Sequence, residues 1–103
     1  MALREPTLFI LAALAGGRLH GYGIIAEVER LSAGRISLRA GTIYGALDRL
    51  VRDGKIEPAG EETGGGPPRR YYNLTADGRA LLQAEVDRLT ETATSLTAHL
   101  GRI

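Results

Sequence analysis

Six cations fall between residues 30 and 55, namely Arg30, Arg35, Arg39, Arg49, Arg52 and Lys55, against only Asp48 and Asp53. This local excess of four positive charges sits in a chain of 103 residues whose whole balance is 13 Lys and Arg against 12 Asp and Glu. Guanidinium groups collected in this way neutralise phosphate oxygens, and Arg also pairs with a guanine edge. Arg39 and Arg49 are the candidates for that chemistry, whereas Arg30, Arg52 and Lys55 read as solvated charges. Beside them Thr42 offers a hydroxyl to phosphate or a methyl to thymine, and the small residues Ala40, Gly41 and Gly45 leave room for a duplex to approach. A second basic pair, Arg69 and Arg70, follows a Gly-Pro-rich stretch and suits further phosphate contacts.

Other chemistry is poorly provided for. The absence of Cys excludes disulfides, thiol catalysis and thiolate metal sites. His20 and His99 stand at no telling distance from a nucleophile, and the carboxylates are scattered over amphipathic segments. Gly64-Gly65-Gly66 lacks the Lys and following helix of a phosphate-binding loop. No enzyme activity, cofactor or metal is expected. His20 reads as a local hydrogen-bonding residue that helps to begin a helix, and His99 as solvated near the end of the chain. The four tyrosines then need an account. Tyr44 lies at the flank of a helix beside the apolar stripe. It is either half-buried with its hydroxyl in water or sets that hydroxyl on a phosphate or base, where Gly41 and Gly45 leave room for a duplex. Tyr22 packs at a helix start and extends its hydroxyl toward a phosphate. Of Tyr71 and Tyr72 one faces the core and the other the surface, since strand neighbours alternate.

These residues have to be held by elements that the patterning predicts. Thr7 to Ala15 reads as a buried helix with Pro6 in its first turn. The apolar run Leu8 to Ala15 has the outline of a secretory signal, but it is short, follows Glu5 and Pro6, and cannot span a bilayer; a cytoplasmic protein with no membrane contact is expected. A second helix opens at His20-Gly21-Tyr22-Gly23 and carries Ile24, Ile25, Val28 and Leu31 at helical spacing. Arg35 to Leu38 alternates as a short strand would. A third helix runs from Arg39–Thr42 to a C-terminal cap at Gly54, with Ile43, Leu47, Leu50 and Val51 inward. Lys55 to Ala59 and Arg69 to Leu74 form a hairpin with a flexible tip, Pro58 restricting the first strand to an edge or end. Thr75 caps a final helix, whose Leu82, Val86, Leu89, Ala93, Leu96 and Leu100 recur in steps of four and three. Such a seam has to be buried, either on its own domain or on another chain. The order helix, helix, strand, helix, strand, strand is that of a winged helix-turn-helix, mainly α with a small β-hairpin wing and a long C-terminal helix. Its third helix offers an outer face to the major groove and its hairpin reaches the backbone.

Four segments in this order resemble the PadR-like family of transcriptional regulators. Leu19-His20-Gly21-Tyr22-Gly23-Ile24-Ile25 is similar to the opening of the family's second helix, and Ala40 to Leu50, with Thr42-Ile43-Tyr44, to its recognition helix. Gly54-Lys55-Ile56 resembles the turn into its wing. Arg70-Tyr71-Tyr72-Asn73-Leu74-Thr75 with Gly78 resembles the wing exit. Together they span nearly the whole chain, and the single last helix is similar to the short subgroup of the family. The resemblance implies a homodimeric repressor on double-stranded DNA carrying an inverted repeat. DNA contacts would come from Tyr22, Arg39, Ala40, Gly41, Thr42, Tyr44, Gly45, Arg49, Arg69 and Arg70. It also implies that the first and last helices pack across the two-fold axis, through Leu8 and Leu11 with the seam from Leu82 to Leu100. Residues 1–74 would form the DNA-binding domain and residues 75–103 the dimerisation helix.

Some relatives bind a small-molecule effector at the dimer interface. This chain departs from the aromatic-lined version of that site, because its last helix carries no aromatic side chain. Glu61 and Glu62 oppose phosphate and are expected to sit away from DNA or to weaken the wing contact. A protein-interaction module, or a small-molecule sensor using the dimer cleft, are the competing readings of the same elements.

Overall fold

Pro6 lacks an N–H that a first helical turn would leave unpaired, and Glu5 complements the positive end of the same helix, α1 (Glu5–Leu14). The computed structural model describes residues 3–103. After α1 come β1 (Leu19–His20), α2 (Gly21–Leu31), α3 (Ala40–Arg52), β2 (Ile56–Glu62), β3 (Arg69–Leu74) and α4 (Ala76–Leu100). The fold is a winged helix with a small antiparallel sheet, extended by one long helix.

The strand expected at Arg35 to Leu38 does not form, and the sheet recruits Leu19 and His20 instead. These pair with Tyr72 and Tyr71, so β3 is central, with β1 on one side and β2 on the other. Both edges of β3 are therefore occupied. The 35–38 segment is held by Ser32, whose hydroxyl accepts the Ile36 N–H at 2.9 Å. Ile36 and Leu38 still pack half-buried on the core, so their alternation reported burial rather than strand pairing. Pro58 lies on the edge strand, where its missing N–H breaks no ladder bond. Beyond it β2 bulges: Pro58 faces Tyr72 and Glu61 faces Arg70, leaving Ala59 and Gly60 opposite Tyr71 alone.

 Gly60 takes a left-handed φ of 100° there, a conformation open to glycine.

The core lies where α1, α2, α3 and the sheet meet. Ile10, Leu11 and Leu14 come from α1, Ile24 and Val28 from α2, Ile43, Leu47 and Leu50 from α3, and Ile56 and Tyr72 from the sheet. Tyr72 is thus the inward tyrosine of its pair, and burial pushes its hydroxyl pKa above the ordinary value. Leu11 is 0% exposed, which corrects its assignment to a subunit interface: the protomer's own core consumes the side chain. Leu8 is half-buried on the same helix.

Chain reversals close the helices. At the end of α3 the Gly54 N–H reaches the Val51 carbonyl and the Lys55 N–H the Leu50 carbonyl, the paired bonds of a Schellman turn with Gly54 at φ 73°. The same bonds end α2, from Ala33 to Arg30 and from Gly34 to Glu29, but here Ala33 itself holds the left-handed position at φ 53°. Thr75 caps α4 by accepting the Gly78 N–H at 3.0 Å, and its hydroxyl donates to the Gly54 carbonyl at 2.7 Å. Gly78 lies so close to the turn after α3 that a Cβ would stand 1.9 Å from the Lys55 carbonyl oxygen.

This docking settles how α4 starts and leaves most of it without cover. Leu81 and Leu82 pack against the core, and buried Glu85 accepts the Leu3 N–H at 3.4 Å and ion-pairs with Arg88. The hydrogen bond from Arg88 holds the Glu85 carboxyl below its ordinary pKa. Past this point the helix, about 37 Å long at 1.5 Å per residue, leaves the body, and the molecule extends to 61 Å. Val86, Leu89, Ala93, Leu96 and Leu100 are all exposed, Leu100 to 67%. No helix is long and apolar enough among the described residues to cross a membrane.

Gly78→Ala is expected to destabilise the fold by about 3 kcal/mol, because backbone must move to admit the methyl. Ala33→Gly should instead stabilise it by about 0.5–1 kcal/mol by relieving the left-handed alanine. Urea unfolding monitored by circular dichroism checks both signs; equal stability of the Gly78 variant and the parent would contradict the docking geometry.

Candidate nucleic-acid interface

Ile43, Leu47 and Leu50 set the rotation of α3, since these three side chains are buried in the core. The opposite face therefore carries Gly41, Thr42, Gly45, Asp48, Arg49 and Arg52, all exposed. Arg39 is exposed at the N-cap and Ala40 half-buried beside it. A Cβ at Gly41 or Gly45 would meet nothing within 4 Å. Neither glycine serves the packing of the protomer, although each weakens a helix interior by about 1 kcal/mol relative to alanine. The result is a helix face with almost no side chain near its start and cations around it.

The positive charge is narrower than the sequence count suggested. Arg30 ion-pairs with Glu27 and Arg35 with Glu5 at 2.8 Å. Arg35 also lies 5.8 Å from the centre of the Phe9 ring. The hydrogen bond between Arg35 and Glu5 lowers the carboxyl pKa and raises that of the guanidinium. Among the described residues Arg39, Arg49 and Arg52 enter no ion pair. Within the basic segment the unpaired charge thus lies on α3 and at its two ends, Lys55 included.

Tyr44 is exposed on the flank of α3 and leans across to α2. Its hydroxyl is placed so that a Cβ on buried Gly21 would approach it to 2.9 Å. Gly21 thereby holds open the space that Tyr44 occupies. Tyr22 is 63% exposed and does not pack at the helix start as expected. His20 does act locally, its Nδ1 accepting the Gly23 N–H at 3.1 Å to cap α2. His20, Tyr22 and Tyr44 line one wall of a groove whose other wall includes Pro67, Arg69 and Arg70 from the wing.

The wing is nearly balanced in charge. Glu61 faces Arg70 across the strands, with an ion pair of 3.6 Å, and Glu62 faces Arg69. Glu62 accepts a hydrogen bond from the Tyr71 hydroxyl. That bond, followed by burial, raises the Tyr71 pKa, so the phenol remains the donor through the neutral range. Tyr71 lies on the face opposite Tyr72 and is touched by Arg18 and His20, with the Arg18 guanidinium carbon 4.2 Å from the ring centre. Arg18 is the contributor that sequence reading missed: it stands alone in a loop, and only the register of β3 brings Tyr71 under it. Among the described residues no group of three His, Asp or Glu is arranged to hold a metal ion.

The model of the transcriptional regulator PadR-like family matches residues 10–84, from α1 into α4. An uncharacterized 37.1 kDa protein in transposon TN4556 of Streptomyces fradiae is 40% identical over 85 residues, which are 82% of this chain. The chain spans only 23% of the length of that relative. Among solved structures, a PadR family transcription regulator from Clostridium difficile superposes with a TM-score of 0.76 at 24% identity, covering 94% of this chain and 99% of the other. Bacillus subtilis PadR, solved in complex with operator DNA, gives 0.72 at 26% identity over 81% of this chain and 48% of that one.

Gly45→Ala is expected to raise the unfolding free energy by about 0.5–1 kcal/mol, as alanine is the better helix former and its methyl is unobstructed. Chemical denaturation reads the change. A loss of stability would mean that this glycine serves the fold after all.

Proposed function

The chain belongs to the PadR-like family of transcriptional regulators, and from that premise we propose that it is a repressor that binds an inverted-repeat operator as a homodimer. The observation that carries the reading is the outer face of α3. Gly41, Thr42 and Gly45 leave the helix backbone open to base edges, and the exposed Arg39 and Arg49 beside them supply charge for phosphate contacts. Tyr44 and Tyr22 extend the contact toward the backbone beside α2. At the wing Arg69 and Arg70 make the secondary contact, weakened by Glu61 and Glu62 across the ladder. Bacillus subtilis PadR, solved in complex with operator DNA, supports operator DNA as the partner.

The exposed seam of α4 supports the homodimer. Val86, Leu89, Ala93, Leu96 and Leu100 have no cover within the protomer, and burying such side chains is worth about 25 cal/mol per Å² of apolar surface. In this reading residues 1–74 contact DNA and residues 75–103 join the subunits, with the half-buried Leu8 and Leu82 contributing from α1 and α4. Two recognition helices related by a two-fold axis then meet half-sites about one helical turn apart. A small-molecule effector between the subunits would find no aromatic side chain on α4.

Mobility shifts on the chain's own upstream DNA test the contact face. Thr42→Ala is expected to weaken binding about ten-fold with unchanged thermal unfolding. Gly45→Ala should weaken binding while stabilising the protein. Unchanged affinity for both variants would remove α3 from the interface. For the seam, Leu89→Asp should shift the protein from dimer to monomer in analytical ultracentrifugation; a dimer of unaltered stability would exclude α4 as the interface.

A further inference from the structure

Arg18 joins the helical body to the wing. It sits in the turn after α1, exposed, and its Nη1 donates to the Ala59 carbonyl at 2.8 Å. Its guanidinium also lies over the Tyr71 ring at 4.2 Å. Both contacts fall at the bulge of β2, where Ala59 and Gly60 together face Tyr71. We propose that Arg18 sets the angle of the wing relative to α3 and is a positioning residue for operator binding. This inference rests on the reading of the wing as a DNA-contacting element.

Geometry favours an anchor over a solvated charge. A bulge leaves ladder groups without their regular partner, and the Ala59 carbonyl finds its donor in Arg18. Gly60, in its left-handed conformation, keeps the space clear: a Cβ there would stand 3.3 Å from Nη1. A planar guanidinium can stack on a ring and direct an N–H in its own plane, which the ammonium of lysine cannot do at once. Tyr71 passes the restraint outward, because its hydroxyl donates to Glu62 at the end of β2, where the chain enters the tip. His20 meets the Tyr71 ring edge-on at 5.3 Å and ties the same platform to the start of α2. The sheet is therefore held on one face by Tyr72 in the core and on the other by Arg18. With Arg18 removed, the Ala59 carbonyl loses its side-chain donor at the bulge, and Tyr72 and the edge contact from His20 are the holds that remain.

Two measurements separate the anchor from its consequence. In the free protein, Arg18→Ala should speed amide hydrogen exchange at Gly60, Glu61 and Glu62 about ten-fold while α3 stays protected. On selected DNA the same variant should bind about three- to ten-fold more weakly, with an unchanged slope of log affinity against log salt. Arg18→Lys should fail to restore either property, and Tyr71→Phe, which keeps the ring, should speed exchange less. Unchanged exchange in Arg18→Ala overturns the anchor whatever the DNA result. A salt slope reduced by about one shows instead that Arg18 contacts phosphate itself and overturns the positioning role, as does unchanged affinity. If the parent protein binds no DNA, the role in operator binding fails with the functional reading, while exchange still decides the anchor.

Discussion

A helix that buries only a narrow stripe must turn the rest of its surface to solvent, and the rotation of that stripe decides what it shows. In α3 the stripe is Ile43, Leu47 and Leu50, buried in the core against α2 and the sheet. Their burial, worth about 1.5–3 kcal/mol for each side chain, holds Gly41, Thr42, Gly45 and Arg49 outward. The Schellman turn at Gly54 ends the helix and delivers the chain into β2. Thr75 and Gly78 then dock α4 on that same turn. The wing and the last helix are thus both positioned from the end of α3, and the exposed face of the helix keeps a fixed relation to each.

Electrostatics follows from this arrangement rather than from composition. A net charge of +1 conveys little, because pairing removes cations where the fold brings acids to them. Glu27 and Glu5 engage Arg30 and Arg35, and the two wing arginines face two glutamates. Of the cations between residues 30 and 55, Arg39, Arg49, Arg52 and Lys55 enter no ion pair among the described residues. A wing of balanced charge gains less from phosphate neutralisation, so its contribution depends more on where it is held, which is the task that Arg18 and Tyr71 can perform.

Periodicity was enough to locate all four helices, and cap chemistry placed Thr75 and Gly54. The wing hairpin and the outward face of α3 were legible for the same reason: each rests on local spacing. Long-range pairing was not. Leu19-His20 is too short to carry a strand signal, and its pairing arises only because β3 has a free side. Arg35 to Leu38 alternated because Ile36 and Leu38 are buried, although the segment pairs with no strand. Nor does a sequence state which cations will be matched, since Arg35 and Glu5 lie 30 residues apart. Leu11 looked available for a subunit interface, but it is spent in the protomer's own core.

In the proposed reading of the exposed leucine seam and the bare face of α3, two copies of the chain present two helices to one stretch of duplex. Hydroxyl-radical footprinting on DNA recovered by selection from random duplexes tests that arrangement most directly. The account predicts two protected tracts on one face of the duplex, symmetrically placed and about one helical turn apart. A single tract, or no DNA retained at low salt, would contradict it.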